Sequence, residues 1–151
     1  MDYIIRTAEN QDIEEIWNIG NNVSGFKTAP NVVTFWPKET LENCINKEDV
    51  MFYVVESKNK IIGFTIVNLN KSLGKAEIEN IYILPKYRKN GIGKQLLEEI
   101  LKSLKERSYN NVNCFADEAI GFYKYNGFTK GKNFAWMYRV VSKDFKKKDI
   151  E

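Results

Sequence analysis

The stretch Arg88-Lys89-Asn90-Gly91-Ile92-Gly93 constrains this chain more than any other. It follows an apolar run, Ile81-Tyr82-Ile83-Leu84-Pro85, and opens an amphipathic segment from Lys94 to Arg107. The order is strand, basic glycine loop, helix. Glycine carries no Cβ, so backbone N–H groups at such a loop can come close to an anion. The start of the following helix adds unpaired donors and the positive end of a dipole. Lys86, Arg88, Lys89 and Lys94 surround the loop, and no acid occurs among residues 86–94. These features make a cradle for a phosphorylated cofactor. Two common phosphate loops do not fit it. The pattern G-x-x-x-x-G-K-[ST] is absent, and position 96 is Leu where G-x-G-x-x-G needs a third glycine.

The rest of the chain narrows the chemistry. Its 151 residues suit one domain with one core, expected over residues 1–142, followed by a short charged tail at 143–151. No apolar run approaches a membrane span, and Met1 to Arg6 lacks a signal-peptide layout. Cys44 and Cys114 lie far apart, which fits reduced thiols and a cytoplasmic setting. A net charge of +3 with both signs interspersed does not point to nucleic acid or a membrane as partner. There is no histidine, which removes a Ser-His-Asp triad, a histidine base and histidine metal ligands. Two cysteines cannot build the usual four-ligand zinc site, so no metal is expected. Acid–base chemistry falls to Glu, Asp, Tyr, Lys, Cys or water.

Periodicity supplies the frame. Tyr3 to Ala8 reads as a strand, and Asn10 or Asp12 can cap a helix in which Ile13, Ile16 and Trp17 recur. Residues 21–37 are irregular, and Leu41, Cys44 and Ile45 suggest a second helix after Pro37. Met51 to Glu56 and Ile61 to Leu69 read as a hairpin about the polar break Ser57-Lys58-Asn59-Lys60. Ala76 to Leu84 is the next strand, and its apolar residues change parity between Ile78 and Ile81. A β-bulge near Glu79 or Asn80 would keep both sets in the core. Leu96, Leu97, Ile100, Leu101 and Leu104 form one helix face. A strand over 111–116, a helix over 117–126 closed by Gly127, and two closing strands from Phe128 and over 134–141 complete the reading. The result is an α/β (α+β) fold: a mixed, mostly antiparallel sheet with helices on both faces.

The segment R-x-x-G-x-G after a strand ending in Pro resembles the acetyl-CoA loop of the GNAT N-acetyltransferase superfamily. Ala119-Ile120-Gly121-Phe122-Tyr123-Lys124-Tyr125-Asn126-Gly127-Phe128 resembles that superfamily's Ala-x-x-x-Tyr-x-x-x-Gly-Phe segment. The resemblance runs over residues 51–128. It implies the GNAT fold, with strands splayed at the cofactor site. It also implies transfer of an acetyl group from acetyl-CoA, the cosubstrate, to a primary amine by direct transfer in a ternary complex. The implied cofactor-binding residues are Ile81, Tyr82 and Ile83 on the strand and Arg88, Lys89, Asn90, Gly91, Ile92, Gly93 and Lys94 in the loop.

Acetyl transfer needs a proton acceptor for the amine, a donor for the oxyanion and a proton for the leaving thiolate. Tyr123 holds the family's acid position, and Tyr125 is its alternative. Glu77 is the candidate base, through a water, with Glu79 as rival. A backbone N–H among residues 81–83 would serve the oxyanion. Relatives that use a glutamate on the later strand carry it where this chain has Asn111. Ala116 stands where relatives often place a cofactor-contacting Asn, with Asn113 or Asp117 as replacement. Phe35, Trp36, Trp136 and Tyr138 are candidates for the acceptor pocket, which would take a small-molecule or peptide amine. The protein is expected as a monomer or homodimer. An acyl-CoA-binding sensor without turnover is the alternative function, needing the glycines but not Tyr123.

Overall fold

The computed structural model describes residues 1–26, 35–116, 119–135, 137 and 139. Among these, nine principal elements follow in order: β1 (Ile4–Thr7), α1 (Ile13–Asn21), α2 (Lys38–Cys44), β2 (Val50–Ser57), β3 (Lys60–Asn70), β4 (Lys75–Ile83), α3 (Ile92–Glu106), β5 (Asn111–Cys114) and α4 (Ile120–Tyr125). The strands form one sheet in the order β1-β2-β3-β4-β5. The first three pairings are antiparallel and β4–β5 is parallel. A parallel neighbour needs a long crossover, which α3 supplies.

Alternation along the strands sorts the core into two layers. Phe52, Val54, Phe64 and Ile66 face α1 and α2, meeting Ile13, Ile16, Leu41 and Cys44. Met51, Val67, Leu69, Ala76 and Ile78 face the other way, onto Leu97, Ile100 and Leu104 of α3 and Tyr123 of α4. Val55, Ile62 and Ile83 extend that second layer over Ile92 and Leu96. The β2–β3 hairpin turns through Lys58 and Asn59, both at positive φ, the twist that a two-residue turn between right-twisted strands requires.

The expected bulge is present. Ile66 pairs with Asn80 and Val67 with Ile78, which leaves Glu79 as the extra residue on β4. It resets the alternation, so Ile78 and Ile83 both reach the α3 layer. The Asn80 side chain fills the break: its Oδ1 accepts the Ile66 N–H at 3.1 Å, and its carbonyl accepts from buried Thr65 Oγ1 at 2.6 Å.

Three expectations are corrected. Asp12 stands at the N-terminus of α1 but does not cap it. Its buried carboxylate accepts two hydrogen bonds from Arg6 and one from the Glu9 N–H, which closes the short turn Asn10–Asp12. The helix expected over 117–126 forms as Ile120–Tyr125; residues 117 and 118 lie outside the described set. The strand expected from Phe128 does not form among residues 128–135. Phe128 instead completes the end of α4. Gly127 lies at φ 86, the Phe128 N–H donates to the Tyr123 carbonyl, and the two rings pack at 5.1 Å. Lys130-Gly131-Lys132 then offers little apolar surface to hold a strand. Of the strand expected over 134–141, residues 136, 138, 140 and 141 lie outside the described residues, as does the tail.

Candidate active site

The glycine loop is built as its sequence requires. A short turn at Pro85–Tyr87 ends β4, and Asn90 Nδ2 ties the loop by donating to the Tyr87 and Arg88 carbonyls, 3.1 Å each. Lys89 lies at φ 63 and Gly91 at φ 75, so the chain passes twice through the left-handed region before α3 begins. Gly91 is the N-cap of α3, and its carbonyl accepts the first helical bond, from Gln95 N–H at 3.0 Å. The amides of Ile92, Gly93 and Lys94 therefore have no acceptor within the helix. A Cβ on Gly91 would meet nothing within 4 Å, so this side of the loop is open. Ile92 can contribute only its backbone, since its side chain is buried under β3 and β4. Arg88 is exposed but turns inward: its Nε donates to the Ile83 carbonyl at 2.8 Å and its guanidinium lies over the Tyr82 ring. Lys94 pairs with Glu98 along the helix.

A gap between strands leads to this loop. The β4–β5 ladder runs from Lys75–Asn111 to Ile78–Cys114 and stops there. Leu84 N–H donates to Ile62 O, and the Tyr82 carbonyl lies where a Cβ on Gly63 would approach it to 2.7 Å. Tyr82 and Leu84 thus turn their backbone groups toward β3. Alternation turns those of Ile81 and Ile83 the other way, into the space that β5 has left. Of the strand residues expected to bind, Ile81 and Ile83 offer backbone edges, while Tyr82 offers a ring on the α1 face.

The two faces of the sheet at this gap differ in chemistry. Glu77 alternates with Ala76 and Ile78, so it faces away from α3. It stands opposite Asn68 on β3 and Asn113 on β5. Asn113 Nδ2 donates to Glu77 Oε2 at 3.1 Å, and Asn68 Nδ2 donates to Glu79 Oε1 at 2.6 Å. Glu79, two residues on, shares that face. Burial and the neighbouring Glu77 raise the Glu79 carboxyl above its ordinary value, against the lowering effect of Asn68. Because a carboxylate only accepts, Asn113 must aim its amide at Glu77. Its Oδ1 is then buried with no partner among the described residues.

On the α3 face, Tyr123 is 7% exposed and packs between Phe122 and Phe128. Its neighbour is Cys114, the last residue of β5. Burial, and then the Cys114 contact, push the phenol well above its ordinary value. Burial likewise raises the Cys114 thiol. The phenol is therefore neutral near pH 7. Tyr125 is 83% exposed and does not share this packing.

The aromatic acceptor candidates separate. Phe35 is a core residue: it is buried, stacks on Phe26 and fills the space over Gly20. Trp36 is half-buried at the rim of the α1–α2 layer. Trp136 and Tyr138 lie outside the described residues. A cleft of about 490 Å³ that sequence reading missed runs between α1 and the end of β4, lined by Glu14, Glu15, Asn18, Ile19, Tyr82 and Leu84 among others. Asn68 and Cys114 were missed as well; their only signal is register against Glu77 and closeness to Tyr123, neither of which is local in sequence. Among the described residues no helix is long and apolar enough to cross a membrane, and no three His, Cys, Asp or Glu side chains gather to hold a metal ion.

Residues 48–130 match the family model described as acetyltransferase (GNAT) domain. An uncharacterized N-acetyltransferase, ycf52, of Gracilaria tenuistipitata var. liui is 34% identical over 79 residues, covering 52% of this chain and 43% of that protein. The chain spans between 28% and 57% of the first three curated relatives it matches. The PaiA N-acetyltransferase of Thermoplasma acidophilum, solved in complex with coenzyme A, superposes with a TM-score of 0.78 at 23% identity, over 89% of this chain and 94% of that one. The ribosomal-protein-S18-alanine N-acetyltransferase of Escherichia coli superposes with a TM-score of 0.70 at 21% identity, over 87% and 80%.

Proposed function

Because the chain belongs to the GNAT acetyltransferase family, we propose that it moves an acetyl group from acetyl-CoA to a primary amine by direct transfer. One observation carries this reading. The open-edged end of β4 runs directly into an anion cradle, and a neutral phenol and two carboxylates stand on opposite faces of that gap. The cradle fits the cosubstrate: the first-turn amides of α3 are without helical acceptors, and Gly91 leaves their approach open. When bound, acetyl-CoA supplies an activated thioester.

The chain's own residues do the rest. Amides from Gly91 to Lys94 hold the pyrophosphate. The backbone edges of Ile81 and Ile83 align the pantetheine arm, with one N–H directed at the acetyl oxygen. Glu77 takes the amine's proton, directly or through one water. Nitrogen then bonds to the acetyl carbon as the carbon–sulfur bond breaks. Tyr123 gives its Oη proton to the departing sulfur, and the second proton that nitrogen loses on becoming an amide restores the phenol. The base on one face and the acid on the other give the amine's proton and the thiolate's proton separate groups.

An amine-acceptor screen that detects released CoA thiol tests the activity. Calorimetry on Gly91→Val tests the cradle. Any L residue at φ 75 is strained by roughly 1–2 kcal/mol, yet its Cβ meets no protein atom, so the fold should survive and acetyl-CoA binding should be lost. Undiminished binding in a folded variant would sink the assignment.

A further inference from the structure

We propose that Asn68 is a positioning residue that folds the Glu79 carboxylate back onto the Glu77 rung, making the two glutamates one proton relay from the strand gap to solvent. The inference rests on the reading of Glu77 as base and deepens it. The geometry comes from the bulge. In an unbroken strand Glu77 and Glu79 would stand two rungs apart on one face, each opposite its own β3 residue. Here Glu79 is the residue with no partner across the ladder, since Ile66 pairs with Asn80 and Val67 with Ile78. The residue it hydrogen-bonds is Asn68, which is the ladder partner of Glu77. Glu79 thus reaches back one rung, and both carboxylates share the space over the Asn68–Glu77–Asn113 row.

The two members differ in a way that gives the relay a direction. Glu77 is half-buried and tied to Asn113 at the last rungs of the β4–β5 ladder, beside the gap. Glu79 is the more exposed. A proton leaving the amine nitrogen goes to a Glu77 oxygen, passes to Glu79 and leaves to bulk water. Both carboxylates end ionised and one proton is released. Among the described residues, Glu77 is the charged group acting on Glu79; the groups facing it from β3 and β5 are the neutral amides of Asn68 and Asn113. Asn68 favours the ionised Glu79, which helps it give up the proton.

The experiment uses Asn68→Leu, Glu79→Gln and the double variant, with Asn68→Ala as the milder replacement if leucine unfolds the sheet. The probe is whichever of benzylamine, putrescine and glycinamide the wild-type protein acetylates fastest. Rates are expressed as kcat/KM per neutral amine across pH. Losing a hydrogen bond to a charged carboxylate should raise the acidic limb by roughly one to two pH units in Asn68→Leu. In the Glu79→Gln background the same change should do nothing further. Carbon-13 titration of the Glu79 carboxyl, which needs no turnover, should show the same upward shift. A loss equal at every pH, an unchanged Glu79 titration, or a full effect of Asn68→Leu without Glu79 would overturn the proposal. Full activity in Glu77→Gln would instead overturn the base itself, whatever Asn68 does.

Discussion

Two clusters of partly buried charge sit on this one sheet, and they are built oppositely. At the β1 edge, Arg6 bonds Asp12 through both terminal nitrogens and Glu56 through Nε, at 2.7 to 2.9 Å. Asp12 also accepts the Glu9 N–H, so opposite charges meet and lone pairs are filled. At the β4 bulge, Glu77 and Glu79 are like charges, each held by one neutral amide, and Asn113 Oδ1 is left over. The first arrangement minimises electrostatic free energy and locks β1, β2 and the start of α1 together. The second leaves a carboxylate above its ordinary proton affinity beside an open strand edge. Perturbed groups of this under-compensated kind favour proton transfer over stability.

The comparison breaks if stability and rate fail to separate. Asp12→Asn should give the largest effect, a loss of about 2–3 kcal/mol, because it strips charge from a buried partner while Glu56 still holds Arg6. Urea unfolding measures it, and rate per folded molecule should not change. The pH dependence has a definite sign. Burial would raise the Asp12 carboxyl, but Arg6 and the Glu9 N–H outweigh it and hold it low. A depressed folded value adds stability above the unfolded value of about 3.9 that vanishes as pH falls through the folded one. The gap between wild type and Asp12→Asn should therefore close in acid.

Tyr123→Phe comes next. It should lower kcat on the order of 10²-fold by removing a positioned acid, while acetyl-CoA binding holds. The ring contacts with Phe122 and Phe128 remain, so the melting temperature should move little. Wild-type kcat in this variant would make Tyr123 a core aromatic only.

Glu77→Gln should cost less, about tenfold at neutral pH, because Glu79 stays within reach of the proton. The defect should shrink at high pH, where neutral amine is abundant. Glu79→Gln should do less still, and neither should shift the urea midpoint. A larger defect for Glu79→Gln in the pH–rate profiles would transfer the role of base.

Much of the frame was legible because it is local. The glycine loop, the Lys58–Asn59 turn and the apolar face of α3 follow from φ/ψ preference and period, which neighbours along the chain decide. Even the bulge could be read, since Ile78 and Ile81 cannot share a face without one. Phe128 shows where locality misleads: its apolar side chain suits a strand, but it completes the cap of α4. Phe35 likewise read as a pocket aromatic and fills the core over Gly20.

From the sequence alone came the order strand, basic glycine loop and helix, and a tyrosine and two glutamates as candidates for the chemistry. Only the tertiary structure decided how those groups divide. The contact that folds Glu79 back onto Asn68 depends on the bulge at Glu79. Their partners, Asn68, Asn113 and Cys114, depend on registers joining residues up to 36 positions apart. Local preference cannot encode such pairings, because a ladder's register is chosen by the burial of every residue on both strands at once.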